Sequence, residues 1–180
     1  MFTLYIDADS CPKNLRVILL RCITKNGYRA FFVSDRPLKD VQLAKQEQTA
    51  LLRKKAKQEG VTDALVLRSI QSEIESVVVD SGMDSADDWI VENAELPCLA
   101  ITHDIPLAAR LVERDIPVID DRGGIYNKEN MANRLSVRNV MTEFREMGIF
   151  SQKNKPMGPK EVKAFSDSLN SLLHILTVKQ

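Results

Sequence analysis

The stretch Leu4-Tyr5-Ile6-Asp7-Ala8-Asp9-Ser10-Cys11-Pro12 decides how the rest of the chain is read. A short apolar run breaks into two carboxylates and then a proline, so a buried strand ends where a helix begins. In an open α/β sheet, ligands gather at such junctions, because strand carboxyl ends and helix amino ends meet there on a crevice. The stretch proposes a site before it proposes a reaction.

Outward from it, Pro12 suits the first helical position, and Leu15, Ile18, Leu19, Cys22 and Ile23 recur at helical spacing as far as Asn26-Gly27. Residues 28–33 read as a buried strand closed by the turn signal Ser34-Asp35-Arg36-Pro37. Strand, helix and strand within about thirty residues make a βαβ unit with parallel strands. From 38 to 59 the composition turns to Lys, Gln, Glu, Ala and Leu, a helix stopped by Gly60, whose Arg53, Lys54, Lys55 and Lys57 read as a solvated face. Residues 64–67 read as a short strand and 73–79 as a firmer one.

The next segment is Asp80-Ser81-Gly82-Met83-Asp84-Ser85-Ala86-Asp87-Asp88-Trp89-Ile90. Gly82 breaks the strand, and Ser85 with Asp88 three residues on has the spacing of a capping box, opening a helix that buries Trp89, Ile90 and Ala94. Residues 96–102 are another buried strand, running into His103-Asp104 and a helix begun at Pro106. Residues 116–119 supply a last strand before Asp120-Asp121-Arg122-Gly123-Gly124. One long helix is expected over 127–147, supported by Met131, Leu135, Val140, Met141 and Phe144. A polar linker follows at 151–159, then a final helix whose Val162, Phe165, Leu169, Leu172, Leu173 and Leu176 must dock on something.

If the strands are parallel, Asp7, Asp9, Asp84, Asp87, Asp88, Asp104, Asp120 and Asp121 fall near one edge of the sheet. Acids converging from separate strands are what a hard, oxygen-preferring cation such as Mg²⁺ or Mn²⁺ requires. Such ions orient water and neutralise charge on a phosphoryl group. The competing reading is that each Asp is an N-cap or turn former. Capping accounts for one or two acids but hardly for four within nine positions, where like charges repel unless a cation offsets them. Asp7-x-Asp9 also has the form of an Asp-nucleophile phosphatase motif, with Asp7 as nucleophile and Asp9 as general acid/base. Arg134 and Arg138, four apart, share a helix face and can clamp a phosphate if that face borders the pocket.

Composition narrows the partners. Lys plus Arg and Asp plus Glu each number 25 in 180 residues, so no overall positive field advertises nucleic acid. Three cysteines, Cys11, Cys22 and Cys98, lack paired spacing, which argues against a disulfide framework and a structural zinc. The first residues are too short an apolar run for a signal peptide, and no later run approaches the ~18 apolar residues of a membrane span, so a cytoplasmic protein is expected. The oligomeric state is left open.

Four motifs, in order, resemble those of the YaiI/YqxD family of bacterial proteins: Asp7 to Pro12, Gly82 to Ile90, Thr102-His103-Asp104-Ile105-Pro106-Leu107-Ala108, and Arg122-Gly123-Gly124-Ile125-Tyr126. The likeness resumes at Asn130, at Arg134-Leu135-Ser136-Val137-Arg138 and in the closing helix. It implies a PIN-like three-layer α/β/α fold over residues 1–150, with a mainly parallel sheet and with 151–180 docking as linker and helix. Residues 40–70 look like an insertion atypical of that family. The resemblance also implies an acidic pocket similar to that of PIN-domain ribonucleases. There Asp7, Asp84, Asp88 and Asp104 would be catalytic, and Asp7, Asp9, Asp84, Asp87, Asp88, Asp104 and Asp121 would bind Mg²⁺ or Mn²⁺. Ser10, Thr102, Arg122, Arg134 and Arg138 would meet the substrate. The function so implied is a metal-dependent phosphodiesterase acting on RNA, with a non-catalytic nucleic-acid or nucleotide binding module as the alternative and the phosphatase as a lesser one.

Overall fold

The computed structural model describes residues 2–80, 82, 85–148 and 157–178. Asp84, one of the expected ligands, and most of the expected linker lie outside the described residues. Six strands form one sheet: β1 (Thr3–Asp7), β2 (Arg29–Ser34), β3 (Ile74–Val78), β4 (Cys98–Ile101), β5 (Val118–Ile119) and β6 (Ile125–Tyr126). Their spatial order is β3-β2-β1-β4-β5-β6, with the first five parallel and β6 antiparallel to β5. The order reverses between β1 and β4, and in such sheets the crevice opens at the carboxyl ends of that strand pair.

Alternation along the strands divides the core into two layers. Leu4 and Ile6 of β1, Phe32 of β2 and Leu99 and Ile101 of β4 pack beneath α1 (Lys13–Asn26), α2 (Lys39–Gln58) and α7 (Pro159–Val178), which contribute Leu15, Leu19, Val41, Phe165 and Leu169. Tyr5, Val33, Cys98, Ala100 and Val118 face the other way. They meet Ile90 of α4 (Ser85–Asn93), Leu107 and Leu111 of α5 (Ile105–Glu113) and Met131 of α6 (Lys128–Glu146). This is a three-layer α/β/α arrangement.

Several helix limits follow from local chemistry. α1 ends where Gly27 adopts φ 69° and returns its N–H to the Ile23 carbonyl, a left-handed cap that glycine takes without steric cost. Pro12 lies just outside α1, as its N-cap residue. α6 opens with a reciprocal capping box between Asn127 and Asn130. The turn between β5 and β6 needs Gly123, because its φ is 85° and a Cβ there would stand 2.6 Å from the Ala164 carbonyl oxygen of α7. Ser168 of α7 donates to the Gly123 carbonyl at 2.9 Å, so this turn is where the closing helix docks.

Three expectations need correction. Residues 64–67 are helical, not extended: Ala64–Ser69 forms α3, with the Asp63 carboxylate accepting from Leu65 N at 2.7 Å. An Asp N-cap outweighs the strand preference of a four-residue apolar run. Ser85 is the first residue of α4 rather than its cap, so the Ser85/Asp88 spacing does not make a capping box. The helix expected over 127–147 is α6, in which Met131 and Leu135 pack inward while Val140, Met141 and Phe144 are exposed. Finally, β6 pairs outside β5, where two residues are too few to carry a periodic signal.

Residues 40–70 are divided in role. Val41 is fully buried in the core, Lys45 pairs with Glu75 of β3 at 2.6 Å, and Gln48 receives a hydrogen bond from Ser72. The amino half of α2 is therefore the crossover between β2 and β3. Farther on, Leu51, Leu65 and Val66 are exposed.

Candidate functional site

At the end of β1 the chain turns abruptly into α1, and Asp7 sits at the turn with only 4% of its surface exposed. Its Oδ2 accepts from the Thr102 hydroxyl at 2.7 Å and its Oδ1 from Ser10 N at 3.3 Å. Thr102 immediately follows β4, so this bond spans the point where the strand order reverses. The same Thr102 oxygen accepts from Asp104 N at 2.9 Å, and Asp104 in turn caps α5 by accepting from Leu107 N at 2.9 Å. One hydroxyl thus fixes Asp7 against the backbone that carries Asp104.

A second path leaves the turn through Ser10. Its Oγ accepts from His103 N at 3.2 Å, and the His103 Nδ1 lies 2.7 Å from Asp121 Oδ1. The Asp121 hydrogen bond raises the His103 pKa above its ordinary 6.5, against an opposing effect of burial. Asp7, Asp104 and Asp121, from three different strand ends, are joined through Thr102, Ser10 and His103.

The turn itself is held from behind. Arg16 of α1 donates to the Cys11 carbonyl at 2.7 Å and pairs with Asp40 at the start of α2 at 2.9 Å. Sequence reasoning passed over this pair; the available signal was an arginine one turn into a helix whose neighbours are apolar. Cys11 is buried and its thiol is pushed up to about 12, chiefly by burial, so it offers no thiolate near neutral pH.

The other expected residues fall into three groups. Asp9 is directed to the end of β2, accepting from Asp35 N at 2.8 Å with Arg36 at 3.9 Å. Asp88 pairs with Arg110 of α5 at 2.7 Å, and Asp87 lies beside it in the first turn of α4. Arg134 lies over the Tyr126 ring, 5.6 Å from its centroid. Arg138 is one turn farther along α6, where its carbonyl accepts from the Thr142 hydroxyl, and among the described residues it forms no ion pair. Arg122 follows Asp121 directly and is exposed. Asp120 belongs to a different construction, accepting from Arg122 N at 2.8 Å, Gly124 N at 2.6 Å and the Tyr126 hydroxyl at 3.1 Å. Burial and that carboxylate together raise the Tyr126 pKa, which keeps its proton on the oxygen.

Among the described residues, no three His, Cys, Asp or Glu side chains already stand as a metal-holding group. The side chains tied to Asp7 by this hydrogen-bond network are nevertheless chiefly oxygen donors. Asp7, Asp104 and Asp121 supply carboxylate oxygens, Ser10 and Thr102 supply hydroxyls, the neighbouring thiol is protonated, and the His103 Nδ1 is engaged by Asp121. That donor set fits a hard cation rather than a soft one.

The fold is thus a mostly parallel α/β sheet with carboxylates gathered at its strand-order reversal, and comparison with known proteins gives its family. Residues 48–175 match the family described as "Uncharacterized BCR, YaiI/YqxD family", and the chain belongs to that family. It is 34% identical over 169 residues to the UPF0178 protein of Pseudomonas entomophila (strain L48), covering 94% of each chain. It is 34% identical over 171 residues to the UPF0178 protein of Trichlorobacter lovleyi, covering 95% of this chain and 93% of the relative. Against a UPF0178 protein of Pseudomonas aeruginosa (strain LESB58) the identity is 31% over 170 residues, covering 94% and 89%. No solved structure matches the chain at a significant level. Among the described residues, no helix is long and apolar enough to cross a membrane.

Proposed function

We propose that the protein is a divalent-metal-dependent phosphodiesterase of PIN-like type acting on RNA, with its reaction centre at Asp7. The observation that carries this reading is the placement of Asp7. It is a buried carboxylate at the strand-order reversal, with two hydrogen-bond donors on its two oxygens among the described residues. A carboxylate in that position retains lone pairs for a further ligand.

Asp7 and Asp104 would hold a Mg²⁺ or Mn²⁺ ion, with Asp121 and the first-turn acids of α4 as further contributors. A bound ion of this kind activates water and offsets charge developing on phosphorus. Thr102 keeps the Asp7 carboxylate in one orientation by donating to Oδ2. Ser10, whose N–H donates to Asp7, and Arg122, whose charge acts on His103, would meet a phosphate oxygen. The Asp-nucleophile alternative would need Asp9 free to move a proton, whereas Asp9 is engaged by the Asp35 N–H and faces Arg36.

Soaking a crystal in Mn²⁺ and reading its anomalous scattering tests this directly. The expected peak lies against the Asp7 carboxylate, and the Asp7→Asn protein should lose it together with Mn²⁺-dependent cleavage of single-stranded RNA. No peak at this edge at millimolar Mn²⁺ would sink the reading. Mn²⁺ binding with RNA bound but left uncut would favour the binding module instead.

A further inference from the structure

A second feature lies on the same sheet face as Asp7 but at the opposite end of the strands. Side chains alternate along a strand, so Thr3, Tyr5 and Asp7 share one face of β1, and Arg29, Phe31 and Val33 stand beside them on β2. The Thr3/Arg29 and Tyr5/Phe31 rungs form the floor of a cavity of about 380 Å³. Its walls are Trp89 and Asn93 of α4 and residues 95–97 before β4. Four strand residues at about 3.3 Å each put its far end roughly 13 Å from Asp7.

The lining combines aromatic rings with two solvent-exposed charges, Arg29 and Glu95. The Phe31 ring stacks on Tyr5 at 5.4 Å and meets Trp89 at 5.5 Å with the planes tilted by 53°. The Arg29 guanidinium lies 5.0 Å from the Phe31 ring centroid. Arg29 and Glu95 line one cavity, yet among the described residues neither makes an ion pair, and the Trp89 indole N–H makes no hydrogen bond. An aromatic wall, an open cation, an open carboxylate and a spare ring N–H are the ingredients of a site for a flat, polar-edged ring.

We propose that this cavity binds guanine. The ring offers two adjacent N–H donors, N1–H and the 2-amino group, which match the two acceptor oxygens of the Glu95 carboxylate. Its O6 and N7 accept from a guanidinium, the pairing arginine makes most often with this base. The aromatic wall supplies stacking, and its half-buried indole is the natural platform. Adenine would set a bare acceptor, N1, against Glu95, and pyrimidines offer a smaller ring to stack. Guanine reaches a protein either as a free nucleotide or as one base of an RNA strand, and both present the same edges. A strand lying along the face shared with Asp7 would join this subsite to the proposed reaction centre, but base recognition stands apart from the chemistry there.

Trp89 is the chain's only tryptophan, so its emission reports occupancy. The whole protein, in EDTA, is titrated with GMP, AMP and UMP, and with the single-stranded pentamers UUGUU and UUUUU. GMP should quench saturably at concentrations about tenfold below AMP, and Glu95→Gln or Arg29→Met should each raise the apparent Kd for GMP by about tenfold. UUGUU binding more tightly than GMP assigns the site to an RNA strand; equal affinity assigns it to the free nucleotide. The proposal is overturned if GMP gives no saturable change up to about 5 mM. It is equally overturned if AMP matches GMP, if L-phenylalanine binds more tightly, or if Glu95→Gln leaves the response unchanged. The Asp7→Asn protein should titrate like the parent, so a failure here leaves the metal reading intact, and a failure of that reading leaves this one testable.

Discussion

Two turns on the same edge of the sheet carry equally buried aspartates and treat them differently. Asp7, in the turn from β1 to α1, is 4% exposed, and Asp120, in the turn from β5 to β6, is 7% exposed. Burial therefore does not separate them. Asp120 is enclosed by donors from its own turn, two backbone N–H groups and the Tyr126 hydroxyl, all within six residues of it. Asp7 receives one donor from its own turn, at a long 3.3 Å, and one from the Thr102 hydroxyl, 95 residues away at the end of β4. A carboxylate satisfied by its own loop is a structural part. One held by a distant hydroxyl, with lone pairs to spare, is the one that the proposed function assigns to a bound ion.

The widest expected difference between the two is in stability. Asp120→Ala strands three donors in a buried turn and removes the group that orders the Gly123 segment on which α7 docks. The cost should be about 2–4 kcal/mol. Asp7→Asn in metal-free buffer keeps the shape, lets Thr102 still donate to the amide oxygen and removes one charge from a group of acids, so its stability should lie within about 1 kcal/mol of the parent. Urea unfolding of both variants in EDTA checks the pair. Equal losses would break the comparison and make Asp7 as structural as Asp120.

Adding metal should set Asp7→Asn apart from the parent. Ligand that binds only the folded state raises stability with concentration, so millimolar Mn²⁺ should raise the thermal midpoint of the parent and of Thr102→Val, the latter less. The Asp7→Asn midpoint should not move. A midpoint that rises equally in Asp7→Asn would show the ion to be held elsewhere on the protein.

The contrast also explains how far the sequence could be read. The β1 turn was legible because an apolar run, two acids and a proline lie consecutively, and parallel strands follow from βαβ logic, so Asp7, Asp104 and Asp121 could be assigned to one edge in advance, though the strand order could not. What could not be read was the use of each acid. Asp120 and Asp121 are adjacent and chemically identical, yet Asp120 closes its own turn while Asp121 holds His103. That division is set by which way a two-residue strand faces, and no periodicity exists over two residues. Asp88 likewise falls to Arg110, 22 residues away, through helix packing that spacing alone does not specify. The aromatic cavity escaped for the same reason, since Tyr5, Phe31 and Trp89 each read individually as core.

The smallest expected effect separates Asp121 from Asp120. Asp121 raises the His103 pKa above 6.5, so the folded state binds the His103 proton more tightly than the unfolded chain does. Stability from this pair is fully present below the unfolded value and is lost as pH rises through the raised folded value. The imidazole is 59% exposed and screened by solvent, which limits the contribution to about 0.5 kcal/mol. His103→Gln should therefore flatten the difference in urea midpoint between about pH 6 and about pH 8, measured in EDTA, and Asp121→Asn should flatten it equally. Asp120→Asn should leave the His103-dependent difference in place, because Asp120 acts on the ring only through space while its oxygens serve Arg122 N, Gly124 N and Tyr126. If Asp120→Asn removed the pH dependence as fully as Asp121→Asn, the two acids would form one electrostatic unit, and the division between a turn-closing carboxylate and a site-facing one would fail at this strand end.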